Sequence, residues 1–278
     1  MALSDAFGNI GRTVRFQASV RGHLGRRLAY VALYYAIFIV FRTGDRYLRA
    51  LVWLKRLGFS DLRVDVVTPE GLALAMDLHT AFDPLAAVLG ERDYRLRPGF
   101  EPQPGQCVLD AGANIGVYAT FAARRVGPEG TVAAFEPHPG NCSVLRENAA
   151  RNGLAWLKVF EAALDEKPGE AELFVHERAI NHSLVRRTGR SVRVRVTTID
   201  AAVAELALKR LDILKIDTEG NVAGILRGAR ETLKRFRPRI AFEYEDCDSA
   251  QGVEGLLAEA GYSLTRSGAI GYAEPLTK

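Results

Sequence analysis

The sequence predicts an α/β protein built on a doubly wound, mostly parallel β-sheet. From residue 106 onward, short apolar runs alternate with amphipathic segments of helical period, and glycine- or proline-rich turns separate them. The chain has 278 residues, 48% hydrophobic and 25% charged, which suits one large globular domain with an extension. Strands that alternate with helices predict parallel pairing with crossover helices on both faces of the sheet.

The first 58 residues form a predicted extension of different character. They carry ten arginines and lysines against two aspartates, whereas the whole chain has a formal net charge of +4, so the remainder is net acidic. An uncharged apolar run spans residues 28–41, which is shorter than the roughly 20 residues of a membrane span. We therefore expect residues 24–57 to do one of two things. They either attach peripherally to a membrane, or pack against the protein's own body or against a second copy in a homo-oligomer. Nucleic-acid binding is disfavoured because the basic arm lacks interleaved aromatic residues beyond the apolar run.

The cysteines and histidines argue against a metal site and for a reducing compartment. The three cysteines are widely spaced, and none belongs to a CxxC motif. The five histidines include no HxH or HxxxH pair, so we expect no metal ligands among them. The expected location is the cytoplasm, with the inner face of the membrane open as a contact surface.

Residues 59–105 are predicted to form a cap and linker ahead of the main domain at 106–278. Apolar alternation on either side of Pro69-Glu70-Gly71 predicts a β-hairpin. Asp83-Pro84 predicts the start of a helix that ends near Tyr94, and the prolines at 98, 102 and 104 predict a stiff linker. In the main domain we expect strands at 108–110, 131–135, 157–162, 170–176, 192–196, 211–217 and 239–244 and two short final strands, with helices at 115–126, 140–152, 201–208, 222–236 and 249–261.

The first strand of the main domain runs into a glycine-punctuated turn that includes Asp110, Gly112, Asn114 and Gly116. The two glycines predict a close approach of the backbone to a ligand, and a loop at a helix start offers free N–H groups. A dinucleotide fingerprint would turn those N–H groups toward a pyrophosphate, which the Asp110 carboxylate would repel. Asp110 suits a cationic or hydroxyl-rich ligand such as S-adenosylmethionine, and a nicotinamide-dependent dehydrogenase is the weaker alternative.

Acidic residues stand at four predicted strand ends: Asp110, Glu136, Asp217 and Glu243. Ligands of doubly wound sheets bind beyond the carboxyl ends of the strands, so these acids are candidate site residues. Glu136, at the end of the second strand, is placed to accept hydrogen bonds from both hydroxyls of a ribose.

The second informative stretch is residues 211–220, in which Lys215 and Asp217 lie on one face of a strand and Glu219 lies in the loop beyond. A lysine in an apolar strand needs a partner, and Asp217, Glu219 and Glu243 are the candidates. One hypothesis is a base that takes a proton from a substrate hydroxyl during transfer, and the other is an ion-pair network that holds the loops.

Several segments together resemble the FkbM family of S-adenosylmethionine-dependent methyltransferases. They are VLDAGANIGVYA, AFEPHPGNCSVLRENAARNGL, AALDEKPGEAELFV, VRVTTID and LDILKIDTEGNVAGILRGARETL, in that order, within residues 62–245. The resemblance implies the class I methyltransferase fold, with a Rossmann-like seven-stranded sheet. It also implies O-methylation of a small-molecule or glycan acceptor, such as a sugar, a glycolipid, a polysaccharide or a natural product.

The resemblance also implies roles for individual residues. The donor loop would comprise Asp110, Gly112, Ala113, Asn114 and Gly116. The ribose of the donor would contact Glu136 and the neighbouring Pro137, and the adenine would lie near Asp165. The substrate side would be formed by Lys215, Asp217, Glu219 and Gly220. The chain departs from the family pattern at His138 and at residues 181–184, so His182 and Ser183 are only candidate lid residues. A non-catalytic membrane- or nucleic-acid-binding module that keeps the fold is the remaining alternative.

Overall fold

The computed structural model describes residues 21–22, 63–77, 93–95, 97–174, 191–218, 220–244 and 252–276. The chain divides into two compact units, Met1–Glu91 and Arg92–Lys278. In the first unit, β1 (Arg21–Gly22), β2 (Arg63–Val67) and β3 (Ala73–Asp77) form an antiparallel sheet. The predicted hairpin is confirmed, and its turn is closed by the Gly71 N–H, which donates to the Thr68 carbonyl at 2.9 Å. The apolar segment at 28–41 and the start of the helix predicted from Asp83 lie outside the described residues.

The described residues of the second unit form ten strands. They are β4 (Cys107–Ala111), β5 (Thr131–Phe135), β6 (Leu157–Phe160), β7 (Ala163–Leu164), β8 (Gly169–Phe174), β9 (Ser191–Thr197), β10 (Ile213–Ile216), β11 (Arg239–Glu243), β12 (Tyr262–Ser267) and β13 (Ile270–Pro275). The central sheet has seven strands in the order β12-β13-β11-β10-β4-β5-β6, and β7, β9 and β8 form a small separate sheet. Neighbours from β11 to β6 are parallel, whereas β13 is antiparallel to both β11 and β12. The prediction of a mostly parallel, seven-stranded sheet is confirmed.

Six α-helices lie among the described residues of this unit. They are α1 (Val117–Val126), α2 (Pro139–Arg151), α3 (Ile199–Glu205), α4 (Val222–Arg227), α5 (Arg230–Phe236) and α6 (Val253–Glu259). The His138 Nδ1 atom accepts from the Asn141 N–H at the start of α2, and Thr198 caps α3 in the same way through its hydroxyl. Residues 93–95 form a 3-10 turn at the point where the sequence predicted the end of an α-helix.

Two predicted elements are each divided in the structure. The single helix expected over residues 222–236 is wrong, because Gly228 and Ala229 separate α4 from α5. A tertiary contact explains the break: the Asp200 carboxylate accepts from the N–H groups of Glu231 and Thr232 and so caps a new helix start. The strand expected over residues 157–162 ends at Phe160, and the residues just after it begin β7 in the other sheet.

Near its middle, the central sheet is apolar on one face and carries charged side chains on the other. Leu109 of β4 and Leu214 of β10 join one large apolar core with residues of α3, α4, α5 and α6. Asp110 and Lys215 are the next residues along the same strands, so their side chains point to the opposite face. Tyr118 of α1 lies on that face, beside Lys215. Helices thus cover both faces of the sheet.

Candidate functional site

The sheet order brings the four strand-end acids to one edge. Glu243 is the last residue of β11, Asp217 follows β10, Asp110 lies near the end of β4, and Glu136 follows β5. These four strands are consecutive neighbours in the sheet. Because they are parallel, their carboxyl ends face the same way, and the acids form one row beyond that edge.

The loop that follows β4 uses all of its backbone donors internally. The N–H groups of Gly112 and Ala113 donate to the Phe135 carbonyl at 2.9 and 3.0 Å. The Asn114 N–H donates to Glu136, that of Ile115 to the side-chain oxygen of Asn114, and that of Gly116 to the Ala113 carbonyl. The expectation of free N–H groups is therefore wrong for residues 112–116, and this loop presents no backbone donor to a pyrophosphate.

Both glycines of this loop lie against protein neighbours. Both have positive φ, and a Cβ on Gly112 would lie 1.8 Å from the Asp217 carbonyl oxygen. A Cβ on Gly116 would lie 2.0 Å from Leu145 Cδ1. The sequence assigned these glycines to ligand approach, whereas in the structure they allow the loops after β4 and β10 to touch and α2 to pack closely.

Glu136 ties the donor loop to the start of α2. Its Oε2 accepts from the Asn114 N–H at 2.8 Å, and its Oε1 accepts from the His138 N–H at 2.9 Å and from Asn141 Nδ2 at 3.3 Å. Burial raises the pKa of Glu136 to about 7, although these three hydrogen bonds and the charge of Lys215 oppose the rise. A carboxylate has about four acceptor positions, so one is left for a ligand hydroxyl.

Lys215 cross-links the loops that follow β4 and β10. Its Nζ lies 2.9 Å from Asp110 Oδ1 and 3.5 Å from Asp217 Oδ2, and it donates to the Gly112 carbonyl at 2.9 Å. The side chains of Lys215 and Asp110 are 4% and 0% exposed, whereas that of Asp217 is 33% exposed. The sequence had proposed Asp217 as a partner but had missed Asp110, although the β4–β10 register pairs Asp110 directly with Lys215.

The protonation states of Lys215 and Asp110 follow from the short distances between their charges. Burial disfavours the charged form of Lys215, but Asp110 and Asp217 outweigh burial and raise the pKa of Lys215. Burial also raises the pKa of Asp110, and Lys215 opposes that rise. We assign the ion-paired state, because an ammonium 2.9 Å from a carboxylate in a buried position stabilises both charges. A lysine held protonated in this way is a structural cross-link and not a base.

Two tyrosines complete the surroundings of Lys215, and sequence reasoning missed both. The Tyr94 hydroxyl donates to Asp217 Oδ2 at 2.8 Å. The ring centroids of Tyr94 and Tyr118 lie 5.2 and 5.8 Å from Lys215 Nζ, within the range of cation–π attraction. Tyr94 precedes the first strand of the sheet, so only the folded chain shows that it meets Asp217.

Asp110 has unused acceptor capacity in a buried position. Its Oδ2 has no hydrogen-bond partner among the described residues, and Oδ1 is held by the ion pair. An unpartnered carboxylate oxygen beside a row of further acids fits a ligand with positive charge and hydroxyl or ammonium donors. S-adenosylmethionine carries all of these groups, so its chemistry fits the residues present.

The other predicted site residues fall into two groups. Pro137, beside Glu136, and Glu243, at the end of β11, are both half-buried. Asp165 packs on α4, with its Oδ1 against Gly224. Asp165 follows β7 of the small sheet, and its Oδ1 accepts from the Glu166 N–H at 2.7 Å. Glu219, His182 and Ser183 lie outside the described residues, so their roles remain predictions.

The described residues hold neither a metal-binding cluster nor a membrane-spanning helix. No group of three or more His, Cys, Asp and Glu residues in the described ranges is arranged to hold a metal ion. Within those same ranges, the helices are too short or too polar to cross a bilayer.

A family model and a sequence relative both identify the FkbM methyltransferases. A sequence model described as the methyltransferase FkbM domain matches residues 110–264. The chain is 30% identical over 203 residues to the 31-O-demethyl-FK506 methyltransferase FkbM of Streptomyces tacrolimicus, covering 61% of this chain and 77% of that protein. It is 26% identical over 193 residues to methyltransferase sdnD of Sordaria araneosa, covering 57% and 74%.

Among solved structures, the chain is similar to methyltransferase FkbM from Methylobacillus flagellatus. The TM-score is 0.45 and the sequence identity 16%, and the alignment covers 70% of this chain and 56% of that one.

Proposed function

Because this chain belongs to the FkbM methyltransferase family, we propose that it transfers the methyl group of S-adenosylmethionine to a hydroxyl oxygen. The observation that carries the proposal is the row of acids at the carboxyl edge of the sheet, with a buried, partly unpartnered Asp110 at its centre. The backbone N–H groups over residues 112–116 are all engaged, so a pyrophosphate would find no donor in this loop, and Asp110 would repel it.

The residues proposed to hold the donor lie on the β4 and β5 side. Asp110 and the loop from Gly112 to Gly116 would surround the charged end of the donor, and Glu136 would accept a hydrogen bond from a ribose hydroxyl. When bound, the donor supplies an electrophilic methyl group on a sulfonium sulfur whose leaving group is a neutral thioether. Asp165, which packs on α4 rather than on the donor loop, is assigned to the adenine only by the family resemblance.

Asp217 is the described residue best placed to receive the acceptor's proton. Its Oδ2 is held by Tyr94 and faces Lys215, whereas no described residue donates to its Oδ1. As the acceptor oxygen gains the methyl group it loses one proton, which Asp217 Oδ1 takes and then releases to water. The main tasks of the protein are alignment and water exclusion, because the leaving group needs no protonation.

We further propose that the acceptor is a sugar hydroxyl, free or in a glycolipid or polysaccharide, or a hydroxyl of a natural product. Support for an oxygen acceptor comes from the relative whose name is 31-O-demethyl-FK506 methyltransferase. Peripheral membrane contact through residues 24–57 is still a prediction from their composition.

Isothermal titration of the full chain with S-adenosylmethionine tests the proposal. We expect binding heat with this ligand and none with NAD, and we expect Asp110→Asn to weaken the binding. Heat with NAD but not with S-adenosylmethionine would overturn the assignment. Transfer of a tritium-labelled methyl group to a panel of glycosides, glycolipids and polyketides would then identify the acceptor class.

A further inference from the structure

We propose that the cluster formed by Asp110, Lys215 and Asp217 makes the site prefer the sulfonium donor over its demethylated product, whose sulfur is uncharged, and that Asp217 supplies the discriminating charge. The inference rests on the proposed function. It gives the cluster a specificity role in addition to its cross-linking of two loops.

The first step is the charge balance of the cluster. One ammonium meets two carboxylates, at 2.9 Å from Asp110 and 3.5 Å from Asp217, so one negative charge is not balanced within the cluster. The nearby Arg95 stacks its guanidinium on the Phe121 ring at 3.9 Å and lies 3.6 Å from a carboxylate oxygen of Glu101. The neighbouring Glu136, whose pKa burial raises to about 7, adds negative charge and removes none.

The second step is the position of the unbalanced charge. A buried charge is costly unless it is paired, so the fully buried Asp110 is the carboxylate that Lys215 neutralises. Asp217 is one-third exposed, and two donors approach only its Oδ2. The uncompensated charge is therefore carried by Asp217, at the open end of the cluster, where a ligand can reach it.

The third step is the difference between the two ligands. S-adenosylmethionine and S-adenosylhomocysteine differ by one methyl group and one positive charge on sulfur. Contacts with the adenine, the ribose and the amino-acid end are common to both, so the ratio of their dissociation constants reports mainly on the charge. One uncompensated charge in a partly buried site is expected to change this ratio on the order of tenfold, which corresponds to about 1.4 kcal/mol. Such a preference would favour release of the product after each transfer.

Isothermal titration of both ligands measures the ratio without any acceptor. Asp217→Asn removes the charge and keeps a carbonyl oxygen for the Tyr94 hydroxyl, and its partial exposure makes folding of the variant secure. Glu129→Gln is the matched control: it makes the same charge change at an exposed turn before β5, at the opposite edge of the sheet. A third ligand, with a protonated amine in place of the sulfonium, separates the effect of charge from that of the methyl group.

The expected result is that the wild-type chain binds the cationic donor more tightly than the product. Asp217→Asn should reduce this preference about tenfold, Glu129→Gln should leave it unchanged, and the amine ligand should behave like the donor. An equal ratio in the wild type and in Asp217→Asn overturns the inference but leaves the proposed function intact. If neither nucleoside ligand binds the wild-type chain, the proposed function fails and the inference fails with it.

Discussion

Alanine at position 112 would place a methyl carbon 1.8 Å from the Asp217 carbonyl oxygen, far inside any van der Waals contact. The φ of Gly112 is 77°, a conformation that costs an alanine roughly 1–2 kcal/mol. Relief of the overlap requires the loop after β10 to move, and overpacking of this kind costs roughly 1–3 kcal/mol more. We therefore expect Gly112→Ala to lower the free energy of unfolding by about 2–5 kcal/mol, the sum of these two costs.

Two other glycines of positive φ separate the steric cost from the conformational one. Gly153 has a φ of 64° and nothing within 4 Å of its Cβ position, so Gly153→Ala should cost only the conformational part, about 1–2 kcal/mol. Gly116 faces the end of the flexible Leu145 side chain at 2.0 Å, so its alanine variant should fall between the other two.

Denaturant unfolding of the three variants, followed by circular dichroism, measures this order. Equal destabilisation at positions 112 and 153 would refute the packing argument. If Gly112→Ala were as stable as Gly153→Ala and yet lost S-adenosylmethionine binding, the glycine would serve ligand approach, as the sequence had suggested.

Three further predictions use the same unfolding assay. Tyr94→Phe removes the hydrogen bond to Asp217 and should lower the free energy of unfolding by roughly 1–2 kcal/mol. Tyr262→Phe should change it little, because the Tyr262 hydroxyl has no partner among the described residues. Equal decreases in the two variants would argue against the Tyr94 contact. Burial raises the pKa of Glu136 from 4.5 to about 7, so its contribution to stability should fall as pH rises through that interval. Glu136→Gln should therefore flatten the pH dependence of the unfolding free energy there, and an unchanged slope would contradict the shift. Asp200→Ala removes the cap of α5 and should cost about 1–2 kcal/mol, with Asp200→Asn as the milder control; identical losses for the two would rule out a capping role.

The order of strands and helices could be predicted because it depends on local sequence. Hydrophobic period and turn residues located the five parallel strands of the central sheet to within about two residues, and they predicted two short final strands without bounds. The prediction failed where a distant residue decides the local structure. The break between α4 and α5 depends on Asp200, which no local pattern over residues 222–236 reveals.

The candidate site was predicted in part for a similar reason. Strand-end acids are visible in sequence because β-strands in such sheets end at the ligand-binding edge. The partner of Lys215 was predicted only in part, because pairing across strands depends on sheet order and register, which bring Asp110 opposite Lys215. Tyr94 was missed altogether, because it belongs to a different segment of the chain.

The sequence by itself determined the fold class, the family and the row of acids, because these follow from periodicity and from motifs that are continuous in the chain. Only the tertiary structure decided what individual residues do. It showed that Gly112 and Gly116 make room for protein, that the donors of the loop are all in use, and that Lys215 is an ion-paired cross-link. The physical reason is that burial and the balance of charge are properties of neighbours in space, and spatial neighbours become known only when the strands are placed side by side.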